Sequence, residues 1–168
     1  IPGWAQNQAL PSDLYRFKIQ DMDRATISVN GTNAAFQLTK GYAVISRQWK
    51  KGDQLILNLP MPVRELIAHP EIKEDSGRVA IQRGPLVYCF EWPDNKEVKI
   101  PNLQLNSKNS YQTAFIPNLL NGVTVIKTTG IDSVIKTENT KQSITAIPYY
   151  SWANRGAGEM NVWMKVHK

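Results

Sequence analysis

The sequence predicts an all-β fold, an antiparallel β-sandwich, and three observations support this. Short runs in which apolar and polar residues alternate with period two recur along the chain, as in 25–29 and 143–147. The 168 residues include ten glycines and ten prolines spread along the chain, which favours many short elements joined by turns. Hydrophobic residues make up 42% of the chain, enough for a core, and no amphipathic helical period is long enough to predict a helix.

The stretch 77–91 is the centre of this prediction. From Arg78 to Gln82 the residues alternate, which predicts a half-buried strand with Val79 and Ile81 on its buried face. Residues 86–90 are almost continuously apolar, which predicts a strand covered on both faces. Gly84-Pro85 lies between them, and because proline cannot donate to a ladder we expect a bulge, a bend or a sheet edge there.

The N-terminal third reads as hairpins in series. Residues 1–5 resemble the end of a strand that enters a turn, and 14–19 alternates weakly. Asn30-Gly31 predicts a hairpin turn, because both residues tolerate positive φ. Further strands are predicted at 42–47 and at 55–59, where Leu55, Leu57 and Leu59 share one face.

The remaining segments are less regular. We interpret 96–117 as extended loops with a short strand near Leu103, and predict a strand at 123–126. The polar stretch 131–141 predicts a mobile hairpin or loop. Clean alternation predicts a single last strand, in which Met160, Val162, Met164 and Val166 face away from Asn161, Trp163, Lys165 and His167.

Four motifs in this order resemble one known family. They are residues 1–5 (IPGWA), 58–64 (NLPMPVR), 77–91 (GRVAIQRGPLVYCFE) and 147–156 (IPYYSWANRG). The chain from Ile1 to about Met164 is similar to the C-terminal β-sandwich region of glycoside hydrolase family 127, the β-L-arabinofuranosidase type. The resemblance implies two units, residues 1–64 as the remainder of a first β-sandwich and 65–168 as a second, jelly-roll-like sandwich, with a boundary placed to within about ten residues.

The same resemblance implies that the chemistry lies elsewhere in the polypeptide. The family's (α/α) barrel, with a nucleophilic cysteine and a zinc ion held by cysteines and a glutamate, is expected upstream of Ile1. We therefore expect a fragment whose true N-terminus has been removed, with no catalytic residue, no metal site and no cofactor of its own. Its expected partner is that barrel, and a homodimer and a glycan are the other partners considered.

The residues themselves give no catalytic pattern. A glycosidase needs two carboxylates facing each other about 5–10 Å apart, and no motif pairs those present. Most of them lie in turns or loops, where solvated surface is the ordinary explanation. Two isolated histidines give neither a nucleophile's base nor a metal site, and Cys89 lies in an apolar run that predicts a buried side chain. The carboxylates considered are Glu65, Glu71, Glu74, Asp75, Glu91, Asp94 and Glu159.

One segment combines residues that could bind a ligand. Aromatic faces stack on sugar C–H surfaces, while Asn and Arg donate hydrogen bonds to hydroxyls. Two interpretations stay open, carbohydrate contacts or a turn that packs on a neighbouring domain. The residues concerned are Tyr149, Tyr150, Trp152, Asn154 and Arg155, with Arg83 sharing the same ambiguity.

Charge completes the prediction. The net charge is +6 and the pI about 9.5, but the lysines and arginines are scattered rather than arranged in a stripe. A basic, soluble surface therefore explains them better than a nucleic-acid or polyanion site, and no apolar run is long enough for a membrane span. We expect no nucleic-acid partner, no membrane insertion, and a periplasmic or extracellular location rather than a cytoplasmic one.

Overall fold

A computed structural model describes residues 1–9, 13–20, 24–134 and 141–167. Within these ranges the chain forms strands and short 3-10 helices but no α-helix, so the predicted all-β class is confirmed. The strands are β1 (Tyr15–Phe17), β2 (Thr26–Val29), β3 (Thr32–Asn33), β4 (Gln37–Thr39), β5 (Tyr42–Val44), β6 (Leu55–Asn58), β7 (Val63–Ala68), β8 (Arg78–Arg83), β9 (Leu86–Glu91), β10 (Leu103–Asn106), β11 (Gln112–Ile116), β12 (Val123–Asp132), β13 (Gln142–Pro148), β14 (Met160–Asn161) and β15 (Met164–His167). The 3-10 helices are Gly3–Gln6, Lys73–Asp75, Trp92–Asp94, Ile100–Asn102 and Tyr149–Ser151.

One sheet dominates the molecule and closes on itself. Its order is β1-β7-β8-β15-β10-β12-β13-β9-β14, with β11 paired to β12. Because β8 also pairs with β9, the six strands β8, β15, β10, β12, β13 and β9 form a closed ring. The pairings are antiparallel except that β10 and β15 run parallel. Closure leaves these six strands without a free edge.

The interior of the closed sheet holds the main core. All six strands contribute buried side chains to it, since every second residue of each strand points inward. Tyr88 and Phe90 of β9 are fully buried there. The other members include Val79, Ile81, Val98, Ile100, Leu103, Leu105, Ile126, Ile144, Ala146 and Met164.

The predicted half-buried strand is wrong in its burial, although its alternation is correct. Val79 and Ile81 of β8 face the main core, whereas Ala80 joins a second cluster with Phe17 and Leu66. Gln82 is also buried. The outer face of β8 is covered because β7 and β1 extend the sheet beside it and the N-terminal segment packs there, which no period-two pattern reveals.

The Gly84-Pro85 dipeptide makes a hairpin turn rather than a bulge, bend or edge. Arg83 pairs directly with Leu86, so the two residues between them are a two-residue loop joining β8 and β9. Gly84 has φ 55, a left-handed conformation that favours glycine. Proline in the loop need not donate to the ladder, which removes the conflict that the sequence pattern raised. The double-sided burial predicted for β9 is confirmed from Tyr88 onward.

Two small sheets precede the large one. The Asn30-Gly31 turn is confirmed, with φ values of 52 and 78 and a β2–β3 register in which Val29 faces Thr32. β6 completes the order β3-β2-β6, and β4 pairs with β5 in a separate hairpin. All four residues of β6 are exposed, so the face that Leu55 and Leu57 share is not buried within the described chain.

Several local predictions are corrected. Residues 3–6 form a 3-10 helix instead of a strand end, since Pro2 fixes φ at −69 and Asn7 ends the helix in a left-handed conformation. The region 96–117 contains β11 as well as the predicted β10. The last strand is divided, because β14 pairs with β9 whereas β15 pairs with β8 and β10. Trp163 lies between them and stacks on Tyr15 with ring centroids 5.5 Å apart.

The remaining observations concern the limits of these elements and the question of a membrane span. β12 runs to Asp132, and residues 135–140 of the predicted mobile hairpin or loop lie outside the described residues. The predicted boundary between residues 64 and 65 falls inside β7, whose first residue is Val63. Within the ranges that the structure describes, no helix is long and apolar enough to span a membrane.

Candidate functional site

The segment between β13 and β14 gathers most of the predicted site residues. It begins with the 3-10 helix Tyr149–Ser151, closed by a 3.0 Å hydrogen bond from the Trp152 amide to the Tyr149 carbonyl. Ser151 is buried, whereas both tyrosines and Trp152 are exposed. Asn154 donates through Nδ2 to the carbonyls of Ser151 and Trp152, at 3.1 and 3.3 Å. The amide of Asn154 is therefore used to fix the turn.

Arg155 anchors this segment through a buried ion cluster. Its Nη2 donates to Glu91 Oε2 at 2.6 Å, and its Nη1 donates to Asp94 Oδ1 at 2.7 Å. A second bond from Nη2 to Asp94 Oδ2 makes that contact bidentate. The Glu91 side chain is only 1% exposed. The hydrogen bond to Asp94, followed by that to Glu91, raises the pKa of Arg155 above its ordinary value.

The carboxylates of this cluster come from the end of β9 and the helix that follows it. Glu91 Oε1 also accepts a 3.1 Å bond from the amide of Ala153, a residue with φ 63. Asn95 joins the same helix to β13: it donates to the Glu91 and Thr145 carbonyls at 2.8 and 2.9 Å and accepts from the Thr145 amide at 2.8 Å. Glu91 lies on β9 and Asp94 on the helix that Asn95 ties to β13, so both carboxylates of the ion cluster are attached to the closed sheet.

Trp92 completes the packing of the segment. Its amide donates to the Glu159 carbonyl at 3.1 Å. A Cβ placed on Gly158 would lie 1.8 Å from two indole atoms of Trp92, so the ring rests directly on that glycine. The Glu159 carboxylate in turn accepts a 3.1 Å bond from the Ile100 amide. Residue 158 must therefore be small for this loop to close.

Three aromatic side chains of this segment point toward solvent. Tyr149, Tyr150 and Trp152 are 45%, 66% and 41% exposed. The rings of Tyr149 and Trp152 are nearly parallel, with an interplanar angle of 7° and centroids 6.0 Å apart. We call Tyr149, Tyr150 and Trp152 the aromatic platform. Tyr149 and Trp152 are three positions apart across a 3-10 turn, which places their side chains on the same side and explains why these two rings meet.

Arg83 is the last residue of β8 and interacts with Tyr88 of β9. The buried hydroxyl of Tyr88 donates to the Thr124 carbonyl at 3.0 Å, and burial raises the pKa of this phenol while Arg83 lowers it and Tyr150 raises it. Arg83 forms a hydrogen bond with this phenol, whereas Tyr150 acts on it only through its charge. Five of the six predicted residues thus lie on the contiguous 149–155 segment, and Arg83 lies at the end of β8 next to Tyr88. Their role as carbohydrate or domain contacts stays a prediction.

The remaining acidic candidates are already engaged or stand apart. Glu65 accepts a 2.6 Å bond from Lys18 and a second from the Tyr111 hydroxyl, whose pKa is raised first by burial and then by this bond. A cleft of about 280 Å³ lies beside them. Glu71 and Glu74 are exposed, and Asp75 is partly buried. Glu91 is not solvated surface, because it is buried on β9 and its carboxylate binds Arg155.

The residues do not fit the zinc site that the family resemblance implies for the parent enzyme. Cys89 is fully buried, and burial, followed by the nearby Glu91 and Asp94 charges, raises the pKa of its thiol to about 12. A thiolate ligand needs the opposite shift. In the ranges that the structure describes, no three His, Cys, Asp or Glu side chains come together as a metal site would require.

Two family models cover almost the whole chain. The C-terminal domain model of glycoside hydrolase family 127 matches residues 63–165, and the middle domain model of the GH127 beta-L-arabinofuranosidases matches residues 1–61. The chain belongs to glycoside hydrolase family 127. In this GH127 chain the C-terminal domain match includes β8, β9 and the aromatic platform described above.

Relatives agree with this assignment. A non-reducing end beta-L-arabinofuranosidase from Bifidobacterium longum subsp. longum is 28% identical over 98% of this chain and 25% of its own length. Among solved structures, a GH127 beta-arabinofuranosidase is 38% identical with a TM-score of 0.88, over 99% of this chain and 27% of its own. A GH127 beta-L-arabinofuranosidase from Geobacillus stearothermophilus T6 is 37% identical with a TM-score of 0.74, over 85% and 24%. The chain therefore spans about a quarter of these relatives.

Proposed function

We propose that this chain is a non-catalytic β-sheet region of a glycoside hydrolase that acts on terminal L-arabinofuranosides or related plant-glycan sugars. Its role is to support a catalytic (α/α) barrel carried by the same polypeptide. The observation that carries the proposal is coverage: the chain matches relatives named as a beta-L-arabinofuranosidase and a beta-arabinofuranosidase along nearly all of its own length but over only about a quarter of theirs.

The chemistry of the site agrees with a supporting role. A glycosidase needs a free acid and a second carboxylate that flank the sugar. Glu91 and Asp94 instead share one guanidinium, and Glu65 is bound by Lys18 and Tyr111. Carboxylates held in this way by cations and donors stabilise a fold more readily than they transfer protons.

An apolar surface on the first two sheets is the expected contact for the rest of the polypeptide. Leu55, Ile56 and Leu57 of β6 are 50%, 59% and 44% exposed, and Tyr42 and Val44 of β5 are 76% and 50% exposed. Among the described strands β6 is also the end of the order β3-β2-β6, so one side of its backbone has no strand partner there. Such an edge with apolar side chains on both faces suits burial against another part of the enzyme.

The catalytic half of the proposal is tested by assaying the 168-residue chain on a chromogenic aryl β-L-arabinofuranoside, with and without added zinc. We expect no sugar release under either condition. Zinc-dependent turnover by this chain alone would refute a purely supporting role.

Self-association is a second candidate function, favoured by the same β6 edge. Two copies that pair through β6 would form a dimer, which light scattering detects by mass. We expect that Ile56→Lys, which places a charge on this strand, converts such a dimer to a monomer. If the wild-type chain is already a monomer at all concentrations, the oligomerisation role is removed and the supporting role stands.

A further inference from the structure

We propose that the aromatic platform (Tyr149, Tyr150 and Trp152) is a binding site for a neutral glycan chain. This goes beyond the supporting role and does not depend on it. The observation behind it is that three adjacent aromatic side chains are 41–66% exposed on a segment whose backbone is firmly attached to the closed sheet. The argument has three steps, which concern the rigidity of the segment, the size of the surface and its chemistry.

The platform is preorganised. Arg155 bridges Glu91 and Asp94, and the backbone amide of Ala153 donates to Glu91. The side-chain amide of Asn154 donates to the Ser151 carbonyl within the same turn. Each of these bonds acts on backbone or side chains directly behind the rings. A ligand that stacks on them therefore does not have to order the loop first, which lowers the entropic cost of binding.

The exposed area suits a small ligand better than a protein. At roughly 200 Å² for a whole aromatic side chain, the three exposed fractions leave about 300 Å². A stable protein interface buries about 800 Å² on each partner, more than twice the area that the platform exposes. One or two sugar rings would cover an area of this size, whereas a protein partner would need further apolar surface beside it.

The chemistry favours a neutral sugar. Ring faces carry partial negative charge and attract the C–H groups of a sugar face, while the two tyrosine hydroxyls can donate to and accept from sugar hydroxyls. The two acidic groups behind the platform are already paired with Arg155. A furanose or pyranose unit within an oligosaccharide meets these requirements.

Native affinity electrophoresis of the 168-residue chain tests the proposal, with arabinan free of uronic acid and arabinogalactan as the probes in the gel. We expect the wild-type chain to be slowed, and Trp152→Ala and Tyr149→Ala each to weaken binding about tenfold or more. Trp152→Phe keeps a ring face and should retain a measurable part of the binding. Tyr42→Ala removes a still more exposed aromatic residue, 76% exposed and outside the platform, and should bind as the wild type does.

Two results would overturn the site. The first is a wild-type chain that migrates identically with and without both polysaccharides, and the second is unchanged retardation of Trp152→Ala and Tyr149→Ala. If light scattering shows a wild-type dimer that Trp152→Ala dissociates while no glycan retards the chain, the platform is a protein interface and the proposal fails. Circular dichroism melts verify that each variant is folded, so that a loss of binding reports on the rings.

Discussion

The substitution Arg155→Met tests how the platform segment is held to the closed sheet. It removes the guanidinium but keeps the length of the side chain, which leaves the Glu91 carboxylate, 1% exposed, without its cation. Removing one partner of a buried ion pair costs about 3–5 kcal/mol in free energy of unfolding, because the remaining charge is uncompensated. Glu91 keeps its bond from the Ala153 amide, so we expect a loss near the lower value, about 3 kcal/mol.

Asp94 adds little to this loss. Its side chain is 14% exposed and can recover hydration once Arg155 is gone, which places its share at about 0–1 kcal/mol. For a chain of this size, a total of about 3–4 kcal/mol corresponds to a fall in melting temperature of roughly 6–16 °C. With a urea m-value of about 2 kcal/mol per molar, the unfolding midpoint falls by about 1.5–2 M.

Urea unfolding followed by circular dichroism at pH 7 measures this change. Arg47→Met is the matched control, since Arg47 pairs with Asp53 at 3.7 Å with 36% of its side chain exposed, and we expect it to cost no more than about 1 kcal/mol. Adding Glu91→Gln to Arg155→Met removes the stranded charge and should restore at least half of the lost stability. If Arg155→Met behaves like the control, or if Glu91→Gln restores nothing, the ion cluster does not hold the segment as described.

Three further predictions concern the core, the loop packing and pH. Phe90→Ala empties a fully buried position of β9 and should cost about 3–5 kcal/mol in urea unfolding. Gly158→Ala places a methyl group 1.8 Å from the Trp92 indole; we expect about 1–3 kcal/mol of destabilisation and a shifted tryptophan emission maximum, and unchanged emission would contradict the contact. Hydrogen bonds from the Lys50 amide and then from the Asn30 side chain lower the pKa of Asp53 below its ordinary 3.8. The ionised Asp53 therefore stabilises the fold above pH 3.8, and this stabilisation is lost as the pH falls through the lowered pKa. Asp53→Asn should flatten the acid limb of a plot of unfolding free energy against pH, and a plot identical to that of the wild type would argue against these bonds.

A binding role would explain why the three aromatic side chains of the platform are exposed. Half-exposed rings forgo part of the free energy that burial would give, and a turn with exposed rings is stable here because its polar groups are paired with the sheet behind it. Rigidity and exposure together distinguish this segment from the β6 surface, where the apolar side chains lie on a sheet edge.

Local patterns determined much of the fold. The Asn30-Gly31 turn follows from two residues that tolerate positive φ, and strands such as β13 follow from period-two alternation, because both depend on neighbours in sequence. The segment 149–155 was identified as a candidate site for a similar reason, since its aromatic, amide and guanidinium groups are contiguous. The family motifs are likewise contiguous, so the sequence by itself was enough to indicate GH127.

Only the tertiary structure decided which side chains meet across the chain. Arg155 reaches Glu91 across 64 positions of sequence, and no alternation pattern predicts that a carboxylate at the end of β9 is buried by this contact. The closure of six strands and the burial of the outer face of β8 depend in the same way on pairings between distant strands. Periodicity states which residues share a face of a strand, whereas the elements that cover that face are set by long-range packing.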